Sequence, residues 1–158
     1  MSESYKKDKK YILHHKEGNL WRIQACKNIN YFVKKGDFGG LIESEDNLSH
    51  DGDCWVSDGA KVEDRAIISD NAHISGSARI IGHAKVYGHA KIYGNAIVSE
   101  DAEIFGHAHV YDQAHVFGHA HVYDQALVCD FASVFEYALV CNDTKVCKHA
   151  KVTYNTEE

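Results

Sequence analysis

Proline is absent from all 158 residues. A chain without proline loses no backbone donor along its length, which suits short strands paired on both edges. Long apolar runs are missing too. No stretch approaches the ~20 residues that a membrane-spanning helix needs, and residues 1–10 are charged rather than signal-like, so the expected setting is cytoplasmic, with no membrane partner. Positive charge is in deficit, with 17 Lys and Arg against 23 Asp and Glu and a formal net charge of −6. That balance argues against nucleic acid as the partner, because phosphate contacts need clustered cations. The five cysteines, Cys26, Cys54, Cys129, Cys141 and Cys147, are odd in number and form no CxxC pair. Neither a disulfide framework nor a four-cysteine zinc motif is expected, which fits a reducing compartment.

What the chain does have is a six-residue repeat, visible in Ala84-Lys85-Val86-Tyr87-Gly88-His89 and Ala90-Lys91-Ile92-Tyr93-Gly94-Asn95. Seventeen units run from Cys54 to Val152 without an insertion, the third position is always Val or Ile, and the first is Ala in fifteen. Residues two apart on a strand face one side, so Ala84 and Val86 are predicted to point inward and Lys85 outward. The next three residues are turn-prone, with Gly or Asn tolerating a positive φ. Short strands joined by tight bends at fixed period make a solenoid in which each unit is buried by its neighbours. The expected fold is all-β, with residues 51–153 as the solenoid and 154–158 as a polar tail.

The small-x-aliphatic hexads resemble the hexapeptide-repeat family. That resemblance implies a left-handed parallel β-helix, triangular in section, with three hexads per turn and about six coils. The run Leu20-Trp21-Arg22-Ile23, the turn Lys35-Gly36-Asp37-Phe38-Gly39-Gly40 and Glu43-Ser44-Glu45-Asp46-Asn47-Leu48-Ser49, leading into Cys54-Trp55-Val56, are similar to hexapeptide proteins of phages and prophages. One departure concerns glycine: transferases of the family often place it directly after the aliphatic residue, whereas Gly88, Gly94 and Gly106 come one place later, behind an aromatic.

Residues 1–50 are expected to cap the first coil, since a bare solenoid end exposes apolar section and strand edges. Residues 1–10 read as a solvated arm, and Tyr11-Ile12-Leu13-His14 and Leu20 to Ala25 as a hairpin around Lys16-Glu17-Gly18-Asn19. Tyr31-Phe32-Val33 reads as a third strand, and His50 stands where an aliphatic residue would. With three hexads per turn, Cys129 and Cys147 fall one coil apart. A disulfide between them is conceivable, but stacked free thiols are the expected state.

Candidate functional residues follow from the same stacking. Tyr87, Phe105 and Tyr123 form one aromatic column, Tyr93 and Tyr111 a second, and Phe117 and Phe135 a third. With His107 and His109, the first column is the candidate surface for a planar, nucleotide-like ligand. His109, His115 and His121 fall on three different faces, so one chain cannot close them round a metal, and no metal is expected. His89 and His107 stack but supply too few ligands for zinc. Transferases of the resembling family use a histidine base with coenzyme A bound between subunits, and His115 and His121 are the residues that role would fall to. Such a base needs an enclosing pocket, and seventeen hexads without an insertion leave no loop to build one. Towards the C-terminus the outward residues turn apolar: Leu127, Phe131, Phe135, Tyr137 and Leu139 mark a candidate interface. The reading is a non-enzymatic binding protein of phage origin that forms a homo-oligomer, either a trimer or an end-to-end dimer. Its target would be a host protein or a small nucleotide-like signal, in antagonism of host defence. The alternative is a coenzyme A-dependent acyltransferase with its site between subunits.

Overall fold

The computed structural model describes residues 8–154. Strands β1 (Tyr11–Glu17) and β2 (Leu20–Ala25) form an antiparallel hairpin, and β3 (Phe38–Ile42) pairs antiparallel with β2. From β4 (Trp55–Val56), β5 (Lys61–Val62) and β6 (Ile67–Ile68) onward, each hexad contributes one two-residue strand. From β7 (His73–Ile74) to the last coil but one, each strand pairs in parallel with the strands 18 residues before and after it, as Lys85 does with Glu103 and Ile104 with Val122. Three hexads therefore make a coil, and the strands stack into sheets of nine, six and five members. The expected β-helix is the fold.

The interior follows from the repeat. Every Ala and aliphatic residue at the inward positions from Ala60 to Ala138 is fully buried. Alternation in each strand then sends the middle residue out, and three residues turn the corner. The second corner residue is left-handed at both glycine and non-glycine sites: Gly88 has φ 65° and Asp124 φ 57°. Aspartate tolerates that region better than most residues, and here its carboxylate also accepts a backbone N–H from the same corner one coil on. Asp124 takes Asn142 N–H at 3.0 Å and Asp130 takes Lys148 N–H at 2.8 Å.

The N-terminal region differs from the sequence reading in four places. β3 pairs parallel with β5, Leu41 against Lys61, so the hairpin extends the nine-stranded sheet and the first coil begins inside the span assigned to the cap. Gly40 holds the inward place that the repeat gives to Ala. A Cβ there would run into the backbone carbonyls of Ser57 and Ala60. Secondly, Leu48 rather than His50 fills the aliphatic place, bridging to Ile68, while His50 stacks on Tyr11 at 4.2 Å. Two extra residues before Val56 hid this from a strict six-residue count. Thirdly, Lys10 is not solvated: it is buried, and its Nζ donates to the Cys54 carbonyl at 2.7 Å. Asp8 and Lys9 are exposed, as expected of the arm, and its residues 1–7 lie outside the described residues. Finally, Tyr31-Phe32-Val33 is a loop, because Asn30 Oδ1 accepts the N–H groups of Phe32 and Val33 at 2.8 and 2.9 Å and curls the chain.

Cys129 and Cys147 are joined in a disulfide rather than standing as free thiols. In-register coils hold their Cα atoms 4.7 Å apart, inside the range a disulfide accepts.

Candidate functional site

Each outward residue stands in one of three columns. On the nine-stranded face the column is Lys61, Arg79, Ile97, His115, Ser133 and Lys151. On the six-stranded face it is Trp55, His73, Lys91, His109, Leu127 and Lys145. The five-stranded face carries Ile67, Lys85, Glu103, His121 and Leu139.

The aromatic columns stack as the spacing implied. Tyr87 lies 5.0 Å from Phe105 with the rings 3° from parallel, and Phe105 lies 4.9 Å from Tyr123. This column occupies the corner between the five- and six-stranded faces, where His89 and His107 also stack at 4.9 Å. Tyr87 donates to Glu103 Oε2 at 3.1 Å, and burial together with that carboxylate pushes its hydroxyl pKa up to about 12. His109 opens the adjoining face with its ring edge-on to Tyr93 at 6.0 Å. Burial, with Lys91 and His107 beside it, lowers its pKa, as burial and Lys91 lower that of His73. Tyr87, Phe105, Tyr123 and His107 share this corner, whereas His109 stands on the six-stranded face with its ring against Tyr93 of the next corner. Stacked rings at this distance are in van der Waals contact, so a planar ligand has to lie beside the column.

His115 and His121 are not brought together. His115 stands exposed between Ile97 and Ser133, and His121 lies on a different sheet between Glu103 and Leu139, edge-on to Phe105 at 6.4 Å.

The five candidate interface residues divide into two groups. Phe135, Tyr137 and Leu139 run round the corner between the nine- and five-stranded faces, whereas Leu127 lies on the six-stranded face and Phe131 at the corner between the six- and nine-stranded faces. Phe135 stacks on Phe117 at 5.0 Å, Tyr137 stacks on His119 at 4.9 Å, and Tyr154 meets Tyr137 edge-on. These side chains, with Glu100, line an open depression. Tyr137 and Leu139 are 62% and 61% exposed, which leaves a broad apolar ridge in solvent.

Two features escaped the sequence reading. Asp101 sits between His83 and His119 on the nine–five corner, its carboxylate 3.3 Å from one Nδ1 and 3.8 Å from the other. The 18-residue spacing of the three was the available signal. Tyr31 and Phe32 are 85% and 79% exposed and pack edge to face at 5.4 Å, a pairing hidden while the segment read as a strand. Among the described residues no helix is long and apolar enough to cross a membrane. Compared with known proteins, the chain matches no family model and no curated protein.

Proposed function

We propose that the protein works by binding and not by catalysis, and that it assembles with itself through its C-terminal coils. The carrying observation is the ridge of Phe135, Tyr137 and Leu139, set beside an end where no further strand follows among the described residues. Scattered exposed apolar residues are ordinary, whereas a contiguous group signals an interface. The exposed inward residues of the last described coil favour an end-to-end dimer over the side-by-side trimer. In that coil Thr144 and Ala150 are exposed, while their counterparts Ala126 and Ala132 one coil earlier are buried. Stacking a second copy would cover them and pair the free edges.

Supporting the non-catalytic half of the proposal, corners inside the repeat are three-residue turns such as Tyr87-Gly88-His89, so among the described residues no loop of the repeat projects to enclose an acceptor near His115 or His121. In this reading the chain is a phage-derived cytoplasmic protein of the hexapeptide-repeat class acting on host defence. Its surface of Tyr87, Phe105, Tyr123, His107 and His109 meets a host protein or a flat, nucleotide-like signal. A thermal-shift series with nucleotides and acetyl-coenzyme A tests this. A ligand at 100 times its Kd adds about 2.7 kcal/mol of stability. Stabilisation by a nucleotide, lost in Phe105→Ala, supports the proposal. Stabilisation by acetyl-coenzyme A alone, lost in His115→Ala or His121→Ala, would replace it with an acyltransferase.

A further inference from the structure

We infer that Cys129, Cys147 and Asp130 form a metal site that opens when their disulfide is reduced, and that its occupant is a thiophilic divalent cation such as Zn²⁺ or Cd²⁺. The donor atoms of the three residues lie within 4.8 Å of one another. Tetrahedral zinc with Zn–S bonds of ~2.3 Å needs its two sulfurs about 3.8 Å apart. Neighbouring coils in register, with the two Cα atoms 4.7 Å apart, reach that separation by side-chain rotation once the disulfide is reduced. The third donor is also held in place. Asp130 is fixed left-handed at φ 56°, and its Oδ2 accepts Lys148 N–H at 2.8 Å, which ties the carboxylate to the turn after Cys147. Cys129 is 3% exposed, while Cys147 and Asp130 are partly open, so a cation enters from the corner and keeps a water as its fourth ligand.

The chemistry balances with a thiol reductant. Two molecules of a small thiol transfer two electrons and two protons to the disulfide, leaving the Cys129 and Cys147 thiols and one oxidised reductant. A divalent cation then displaces both thiol protons, forming two metal–sulfur bonds and releasing two protons. Oxidised and metal-bound states exclude each other, because each uses both sulfurs. Either one ties the last coil to the coil before it.

The test titrates Cd²⁺ into the full chain, reduced or oxidised, and reads the sulfur-to-cadmium charge-transfer absorbance. The reduced protein is expected to bind one ion per chain with that band, and the oxidised protein to lack it. Cys147→Ser should lose the band. Asp130→Gly keeps a residue this same corner uses at Gly76 and Gly94 with φ 63° and 66°, so its fold is retained while its affinity falls about tenfold or more. Equal binding by the oxidised protein, an unchanged band in Cys147→Ser, an unchanged affinity in Asp130→Gly, or no binding by the reduced protein each overturns the assignment. The oxidised arm requires no substitution, so it decides the matter even if Cys147→Ser misfolds.

Discussion

The two ends of the solenoid face the same physical problem and meet it differently. At the N-terminal end, an antiparallel hairpin covers the edge of the nine-stranded sheet, and buried polar side chains tie off the rest. Lys10 reaches the Cys54 carbonyl at 2.7 Å, and the Tyr11 hydroxyl donates to the Leu48 carbonyl at 2.6 Å. Asn47 satisfies four backbone groups at once: it accepts from Glu43 and Ser44 and donates to Asp64 and Ala66. The C-terminal end has no such cover among the described residues, and its last coil is fastened to the preceding one by the Cys129–Cys147 disulfide. One end is covered by the hairpin and by satisfied polar groups, and its sheet ends on β1, whose exposed Lys16 and Glu17 blunt the edge. The other is held firm but leaves its last described coil exposed, which the proposed self-association would cover.

Removing residues 1–37 should produce the largest effect, because it bares the edge of the first coil and exposes Trp55, now 2% exposed, and Val56. The outcome expected is aggregation on size exclusion, where removal of residues 155–158 leaves the profile unchanged. A soluble product with unaltered circular dichroism would show that the hairpin is not a cap.

Next in size is a packing contrast. Ala114 is fully buried, and Ala114→Leu should cost about 1–3 kcal/mol by overpacking. Ala150 holds the same inward position at the open end, and in the single chain, kept monomeric by Phe135→Asp with Leu139→Asp, Ala150→Leu should stay within about 0.5 kcal/mol. Denaturant titration of both variants measures the difference; equal losses would mean that the last coil is as enclosed as the middle.

Lys10→Met leaves the Cys54 carbonyl without its donor inside the cap, a loss of about 1–3 kcal/mol. Lys148→Met at the other end should be nearly silent by the same titration.

The smallest effect is a pH dependence. Burial, and Lys91 after it, hold the His73 pKa below its ordinary value of 6.5, so the unfolded chain binds a proton more readily than the folded one. The stability His73 contributes is present above pH 6.5 and is lost as pH falls through the depressed folded pKa. His73→Gln should flatten the stability curve in that window.

The difference between the ends also explains what the sequence could reveal. Wherever one six-residue rule governs, from Ala60 to Ala138, inward residues, strand positions and ring columns were all legible, because each unit's surroundings are copies of itself. The cap obeys no period. Asn47, Lys10 and Tyr11 are placed by contacts with residues 17 to 44 positions away, and Leu48 is displaced from strict phase by two residues. Ser44 and Asn47, an N-cap and its reciprocal partner, were the one local hint of this knot. At the far end, the disulfide depended on an in-register distance, which the 18-residue spacing implied; the oxidation state did not follow from spacing. The ridge was foreseen residue by residue, but its division into two groups depended on which corner each residue turned.

Light scattering tests the central claim most directly, comparing the wild type with the double variant Phe135→Asp, Leu139→Asp. Carboxylates placed in a buried apolar contact are costly enough to break it. The account predicts a wild type heavier than one chain and a double variant at the 17.7 kDa of a single chain, with the same β-rich circular dichroism. A wild type already at that mass, or a double variant as heavy as the wild type, would contradict it.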